Sequence, residues 1–407
     1  MIRLLSNINK SKLKKLNSYI LILIAFSLPL SIALPSILTT VLVINWLLIA
    51  DFKHDFNCLK KNKVVVASLG LYLLALLGLL WSQSITLGLT YTLAKESRLL
   101  LIPFYMLFTR KEHLKYYIYA FLLAMSISEV SSYAIFFHII EPFGKATIYD
   151  PTPFIGHITY NPLLAIAIYL LLYYLLFTNE LTKKQKILYT IFVVTMSINM
   201  FVTGGRAGQI VYLSMVILVI FKYFNKQKVK ALILSFVLLP TLFVALYSTS
   251  NIFHNRVKLA VENLSDISKH PNNSTAIRVN WAIVSWQIIK EHPINGVGTG
   301  SFRIAFKKIN NIISPNIKNT INPHNMYIFE LVELGILGLL AMLSIFFYQI
   351  KYARNSSIPL IRNFGVMLPI LFMIMMFSES YLLLVPTTSY LFVLFSAILY
   401  KDYDTPC

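Results

Sequence analysis

The feature that most restricts this 407-residue chain is a succession of apolar runs, most of them close to the thickness of a membrane in helical length. Runs of about 17 to 25 apolar residues cross a hydrocarbon core as helices, because lipid offers no partners to backbone N–H and C=O groups and the helix satisfies them internally. Such runs lie near 18–33, 35–50, 64–81, 97–109, 114–139, 159–178, 187–203, 206–224, 230–248, 325–350, 358–377 and 382–400, the fourth being short. With 57% hydrophobic and 13% charged residues, an ordinary soluble globule is excluded. The expected fold is all-α: a polytopic membrane protein of about 12 transmembrane helices with one large loop, on the outer face, between spans 9 and 10. Residues 1–248 would hold spans 1 to 9, 249–324 the loop, and 325–407 spans 10 to 12 with a short cytoplasmic tail.

Lysine and arginine set the orientation. Of the 36, the segments that are inner when the N-terminus is inside hold 23 with their flanks, the short outer loops hold four, and nine belong to 249–324. Long segments do not count in the positive-inside rule, so both termini are expected in the cytoplasm. The net charge of +20 then reflects topology and attraction to anionic membrane lipids, and no nucleic acid is expected as a partner. Lys12, Lys14 and Lys15 before an apolar stretch look like a signal peptide, but no small-x-small cleavage site follows. A retained helical hairpin broken at Pro35 is expected instead. Cys58 and Cys407 both fall on the cytoplasmic side, so no disulfide and no metal site are expected from them. The spans themselves are nearly uncharged.

Residues 249–324 are too few and too polar at their ends to form an independent domain, and read as a cap. Within them Ser274 or Thr275 can cap a helix carrying Ile277, Trp281, Val284 and Ile288 on one face and ending before Pro293. The GVGTG run of Gly296, Gly298 and Gly300 follows a helix rather than a strand, so a tight turn is expected and not a dinucleotide site.

Several polar residues are left unexplained by topology. Lys95 and Arg98 lie at the outer end of the fourth span, Arg206 opens the eighth within TGGRAG, and Arg278 stands in the first turn of the cap helix. In INPHNMYIFE, Asn322 and Pro323 read as the cap and first position of the tenth span, which puts His324 and Asn325 in its first turn. A helix start presents free N–H groups and a positive dipole end, favouring an anion and a neutral imidazole. Converging starts bearing Arg206, Arg278 and His324 would form a positive pocket at the membrane surface, with glycines 204, 205 and 208 letting a ligand approach. The alternative for a single arginine at a helix end is snorkelling to lipid phosphates, and it stays open for Lys95 and Arg98. His138, His157, His270 and His292 lack such company and read as structural.

TGGRAG, RVNWAIVSWQIIKEHPINGVGTGSF and PHNMYIFELVELGILGLL resemble, in order and spacing, blocks of the O-antigen ligase and O-antigen polymerase superfamily of bacterial envelope glycosyltransferases. Gly205 stands where that family usually has a hydroxyl residue before the arginine. The resemblance implies a metal-independent glycosyltransferase of the bacterial inner membrane with its active site facing the periplasm. Its donor would be a glycan on undecaprenyl pyrophosphate. In a ligase the acceptor is a sugar hydroxyl of the lipid A core; in a polymerase it is another lipid-linked glycan. The resemblance places Arg206 and Arg278, with Lys95 and Arg98, on the pyrophosphate, and His324 as the base, with Asn325 in support. No cofactor and no metal are implied. A lipid-linked glycan transporter would instead show ionisable residues near the bilayer midplane or paired broken helices.

Overall fold

The structure is a computed structural model that describes residues 10–249 and 276–403, with 254, 255, 257, 258 and 261 between them. Apart from a single bridge between Thr147 and Asp150, every regular element among the described residues is helical. Helices α1 (Lys10–Ser27) and α2 (Leu34–Ile49) form the expected hairpin. Pro35 lies in the first turn of α2, where its missing N–H costs nothing, and a buried amide bond of 2.8 Å from Asn45 to Asn17 ties the two arms. Then follow α3 (Phe52–Leu59), bent by 115° from α2, and α4 (Lys63–Leu77), capped by Asn62. Next come α5 (Leu101–Phe108), α6 (Leu114–Phe136), α7 (His157–Phe177), α8 (Lys183–Val202), α9 (Arg206–Tyr223) and α10 (Lys228–Thr249). The cap contributes α11 (Ala276–Glu291) and α12 (Phe302–Ile313), and α13 (Met326–Arg354), α14 (Pro359–Met375) and α15 (Pro386–Leu399) complete the chain.

Among the described residues, six helices are long and apolar enough to cross a membrane, or seven if α2 and α3 count as one bent span. The expected twelve counted apolar runs, and a run becomes a span only if its helix is long enough. At 1.5 Å per residue, α14 and α15, with 17 and 14 residues, reach only about 26 and 21 Å. The fourth run departs furthest from expectation. From Ile85 to Phe108 the chain passes through short α, π and 3-10 turns instead of one helix.

Packing sorts the helices by surroundings. Helix α15 is buried from Thr387 to Leu399 and α7 over most of its length, so these two apolar helices form the centre. By contrast α8 exposes Ile187, Leu188, Ile191, Val194 and Ile198, a face suited to lipid. The spans are less free of charge than expected: Glu129 in α6 and Glu330 and Glu333 in α13 are buried.

The GVGTG turn has a structural task that its sequence does not announce. Gly335 interrupts α13 with φ of 63°, and this break frees backbone groups that the segment 293–298 takes up. Ile336 N–H donates to Pro293 O at 2.9 Å, while Val297 and Gly298 N–H groups donate to the carbonyls of Val332 and Glu333 at 2.9 Å. Thr299 reaches across to α4, its N–H bonding Gly78 O and its hydroxyl Ala75 O. The buried Glu333 carboxylate accepts from Gly300 N at 2.8 Å and Phe302 N at 3.2 Å, fixing the start of α12. Helix α12 was absent from the sequence expectation; α11 matches it in extent and buried face, although Ser274 and Thr275 lie outside the described residues.

A Cβ on Gly335 would sit 2.3 Å from Ile294 O, at a φ that L residues rarely adopt. Gly335→Ala is therefore expected to destabilise the fold by at least about 1–3 kcal/mol from backbone strain alone. Thermal unfolding in detergent checks this, with Gly70→Ala, which meets open space, as the control.

The expectation that neither cysteine forms a disulfide fails, since Cys58 is disulfide-bonded. Cys407 lies outside the described residues.

Candidate functional site

The site is built where the start of α13 meets the turn between α14 and α15. Met326 N–H donates to Met376 O at 2.9 Å and the Asn325 side-chain amide to Phe377 O at 3.2 Å. One residue earlier, His324 Nδ1 pairs with the buried carboxylate of Glu379. Asn322 completes the unit: its amide donates to Glu379 Oε1 at 2.6 Å, and its carbonyl accepts from His324 N at 3.0 Å and from the Ser380 hydroxyl at 2.8 Å. Burial raises the Glu379 carboxyl, but its bonds with His324, the Ser380 N–H and Asn322 outweigh this and hold it below the ordinary carboxylate range. An ionised carboxylate only accepts, so His324 donates from Nδ1, and in the neutral ring the lone pair is then on Nε2.

This corrects the sequence reading of the helix start. Asn325, not Asn322, is the N-cap of α13, accepting from Ile328 N at 3.1 Å. Pro323 is thus not in the first turn, and His324 lies outside the helix with φ of 53°. The side chain of Asn322 is engaged by Glu379 and Ser380, which leaves the cap to the next asparagine. The histidine is consequently oriented by a carboxylate rather than by a helix dipole. Trp281 of α11 stacks on its ring, with centroids 5.2 Å apart and planes 16° apart, and donates its indole N–H to Lys318 O.

Arg278 stands one turn before Trp281, in the first turn of α11 as expected, and is exposed. Its charge acts on the Tyr381 hydroxyl. Burial and Glu379 raise that hydroxyl above the ordinary phenol range, and Arg278 opposes them. Tyr381 OH in turn donates to Ile158 O in the first turn of α7 at 2.8 Å. The start of α9, with exposed Arg206, packs against that same turn. The start of α9 thus borders the start of α7, to which Tyr381 is bonded, while α11 and the start of α13 meet at the stacked Trp281 and His324.

Gly205 and Gly208 do not open the backbone to a ligand as expected. A Cβ at either would lie 2.7 or 2.2 Å from atoms of His157 or Asn161, so these glycines let α9 approach α7. His157 is held at 2.5 Å by Asp150, whose other oxygen accepts from Gly204 N at 3.3 Å. That pair braces the turn before Arg206, and a lone histidine in the sequence gave no sign of it.

Lys95 and Arg98 lie on the irregular segment facing the same turn. Arg98 donates to Leu383 O at 2.8 Å and lies 5.7 Å from the Tyr390 ring; the Lys95 ammonium sits 3.3 Å over Tyr91. Tyr91 in turn lies within the field of Glu333, Glu379 and Arg303, and shares a small pocket with Arg303 and Glu333. Sequence reasoning missed Glu379, Tyr381, Arg303 and Tyr91. Of these only Glu379 left a trace, as the one acid between the last two apolar runs before the tail.

No cluster of three or more His, Cys, Asp or Glu able to hold a metal occurs among the described residues. The fold and site define an all-helical membrane protein with a histidine–carboxylate pair where the start of α13 meets the turn between α14 and α15. Residues 191–343 match the sequence model of the family described as O-antigen ligase (Wzy_C), a stretch that contains Arg206, Arg278 and His324. The match supports the O-antigen ligase and polymerase superfamily, whose members are glycosyltransferase-like enzymes. No curated protein matches the chain.

Proposed function

We propose that the protein is an O-antigen ligase, transferring a glycan from undecaprenyl pyrophosphate to a sugar hydroxyl of the lipid A core at the periplasmic face of the inner membrane. The observation that carries this is the His324–Glu379 pair, stacked on Trp281 one helical turn from Arg278. His324 Nε2 takes the proton of the acceptor hydroxyl as its oxygen bonds the anomeric carbon. The bond from that carbon to the pyrophosphate oxygen breaks, and undecaprenyl pyrophosphate leaves with the electron pair. Glu379 stabilises the imidazolium that forms. Arg206 and Arg278, with Lys95 and Arg98, neutralise the leaving charge through the guanidinium and ammonium groups that replace a divalent ion. Attack opposite the leaving group inverts the anomeric centre.

The second reading is a polymerase of the same superfamily, with a lipid-linked glycan as acceptor. Purified protein given lipid-linked donor is expected to transfer to lipid A core and not to a second lipid-linked unit, at an undiminished rate in chelator. Elongation of the lipid-linked unit would select the polymerase, and activity restored by magnesium after chelation would overturn the arginine mechanism. A transporter is favoured by the paired breaks at 78–100 and Gly335 and by the buried Glu129 inside α6. Those breaks are filled by the chain's own backbone, not by an open site. Reporter fusions are expected to read periplasmic at Asn273 and cytoplasmic at Lys184 and Lys228; the reverse pattern would remove the active site from the periplasm.

A further inference from the structure

At the end of the bundle opposite His324 a second cavity encloses about 770 Å³. The 29 residues of α13 separate the two ends by roughly 43 Å at 1.5 Å per residue. Four elements each bring a lysine to this cavity: Lys61 from the turn after α3, Lys63 from the first turn of α4, Lys351 from the last turn of α13, and Lys401 after α15. Asp402 is the one acid among the described residues of the lining. The positive-inside rule accounts for lysines in inner loops. It does not account for four of them around one concavity.

The walls are held in place. The Asn62 amide donates to Tyr400 O at 2.8 Å, the Lys401 ammonium donates to Thr109 O at 2.8 Å, and the Tyr352 hydroxyl donates to Lys401 O. Burial, reinforced by Arg110 and opposed by Glu112, lowers Lys401 to about 8. Ser356 and Ser357 add hydroxyl donors, and Val64, Leu107 and Tyr348 provide an apolar wall.

We propose that this cavity binds a phosphate-bearing anion, and that the anion is the headgroup of an anionic phospholipid of the facing leaflet. The volume falls within that of pockets for small ligands. Four ammonium groups more than offset the single negative charge of a phosphodiester and offer donors to its oxygens and those of the glycerol, and the apolar wall gives the first acyl carbons a surface. Basic pockets between helices at the cytoplasmic side are suited to such headgroups. The proposal is independent of the reaction at the other end.

Native mass spectrometry of the full-length protein in detergent tests it, with dioleoyl-phosphatidylglycerol, dioleoyl-phosphatidylcholine and inorganic phosphate as probes. One phosphatidylglycerol is expected to be retained in preference to phosphatidylcholine. Lys61 and Lys351 are exposed, so the double variant Lys61→Gln with Lys351→Gln should fold, and it is expected to weaken that binding by roughly tenfold or more. The control pair Lys183→Gln with Lys184→Gln removes equal charge from the start of α8, outside the cavity, and should leave binding within about twofold. If inorganic phosphate alone shows the lysine dependence, the phosphate chemistry stands and the source is soluble. The proposal fails if the cavity pair binds like wild type, or if both pairs lose affinity equally, which would mark a general surface-charge effect.

Discussion

Replacing His324 with alanine is expected to lower glycan transfer by roughly 10²–10⁴ while leaving donor binding in place. The reason is a division of labour in the site. His324 is bonded to Glu379 and Asn322 and stacked on Trp281, and none of these contacts involves the arginines assigned to the donor. Serine or asparagine at 324 should not restore transfer, since neither offers a base near neutral pH. Glu379→Gln is the sharper companion. It keeps the shape but replaces an obligate acceptor with a group that can donate, so the imidazole loses both its fixed tautomer and the charge that stabilises its protonated form. A fall of comparable order is expected. Transfer rate and donor binding, measured side by side in membranes holding equal amounts of each variant, decide the matter. Near wild-type transfer by His324→Ala would make the histidine structural.

Arg206→Ala should reduce donor affinity and transfer together. Loss of a charge-assisted contact to a pyrophosphate typically costs about 1.5–3 kcal/mol, or ten- to a hundredfold or more. Arg206→Lys is expected to recover only part, because the ammonium keeps the charge without the forked geometry. The side chain is exposed at the first residue of α9, so its removal should leave the α7–α9 packing, made by Gly205, Gly208 and Asn161, undisturbed. Unchanged donor affinity in a well-folded Arg206→Ala protein would remove Arg206 from the leaving-group site.

The glycine positions show how unevenly the site could be read in advance. Gly205 and Gly208 looked like ligand access and serve helix approach, because which face of α9 meets α7 is not written in the order of its residues. Gly296, Gly298 and Gly300 were recognisable as a turn, since three closely spaced glycines admit positive φ. That the turn would fill a break in α13 depends on Gly335 lying beside it, more than thirty residues later in the chain.

By itself the sequence determined the helical class and the places of most of the apolar helices, and it marked Arg206, Arg278 and His324 as polar residues that topology leaves unexplained. These follow from local chemistry: apolar periodicity and length, helix-start composition, and polar groups whose presence in a greasy chain needs a cause. Tertiary structure alone decided which runs are long enough to cross as single helices, the cap of α13, and the partner of His324. Glu379 lies 55 residues beyond the histidine, in a turn that α14 carries back to the start of α13. A bond across that separation is set by helix packing, and no spacing in the chain encodes it.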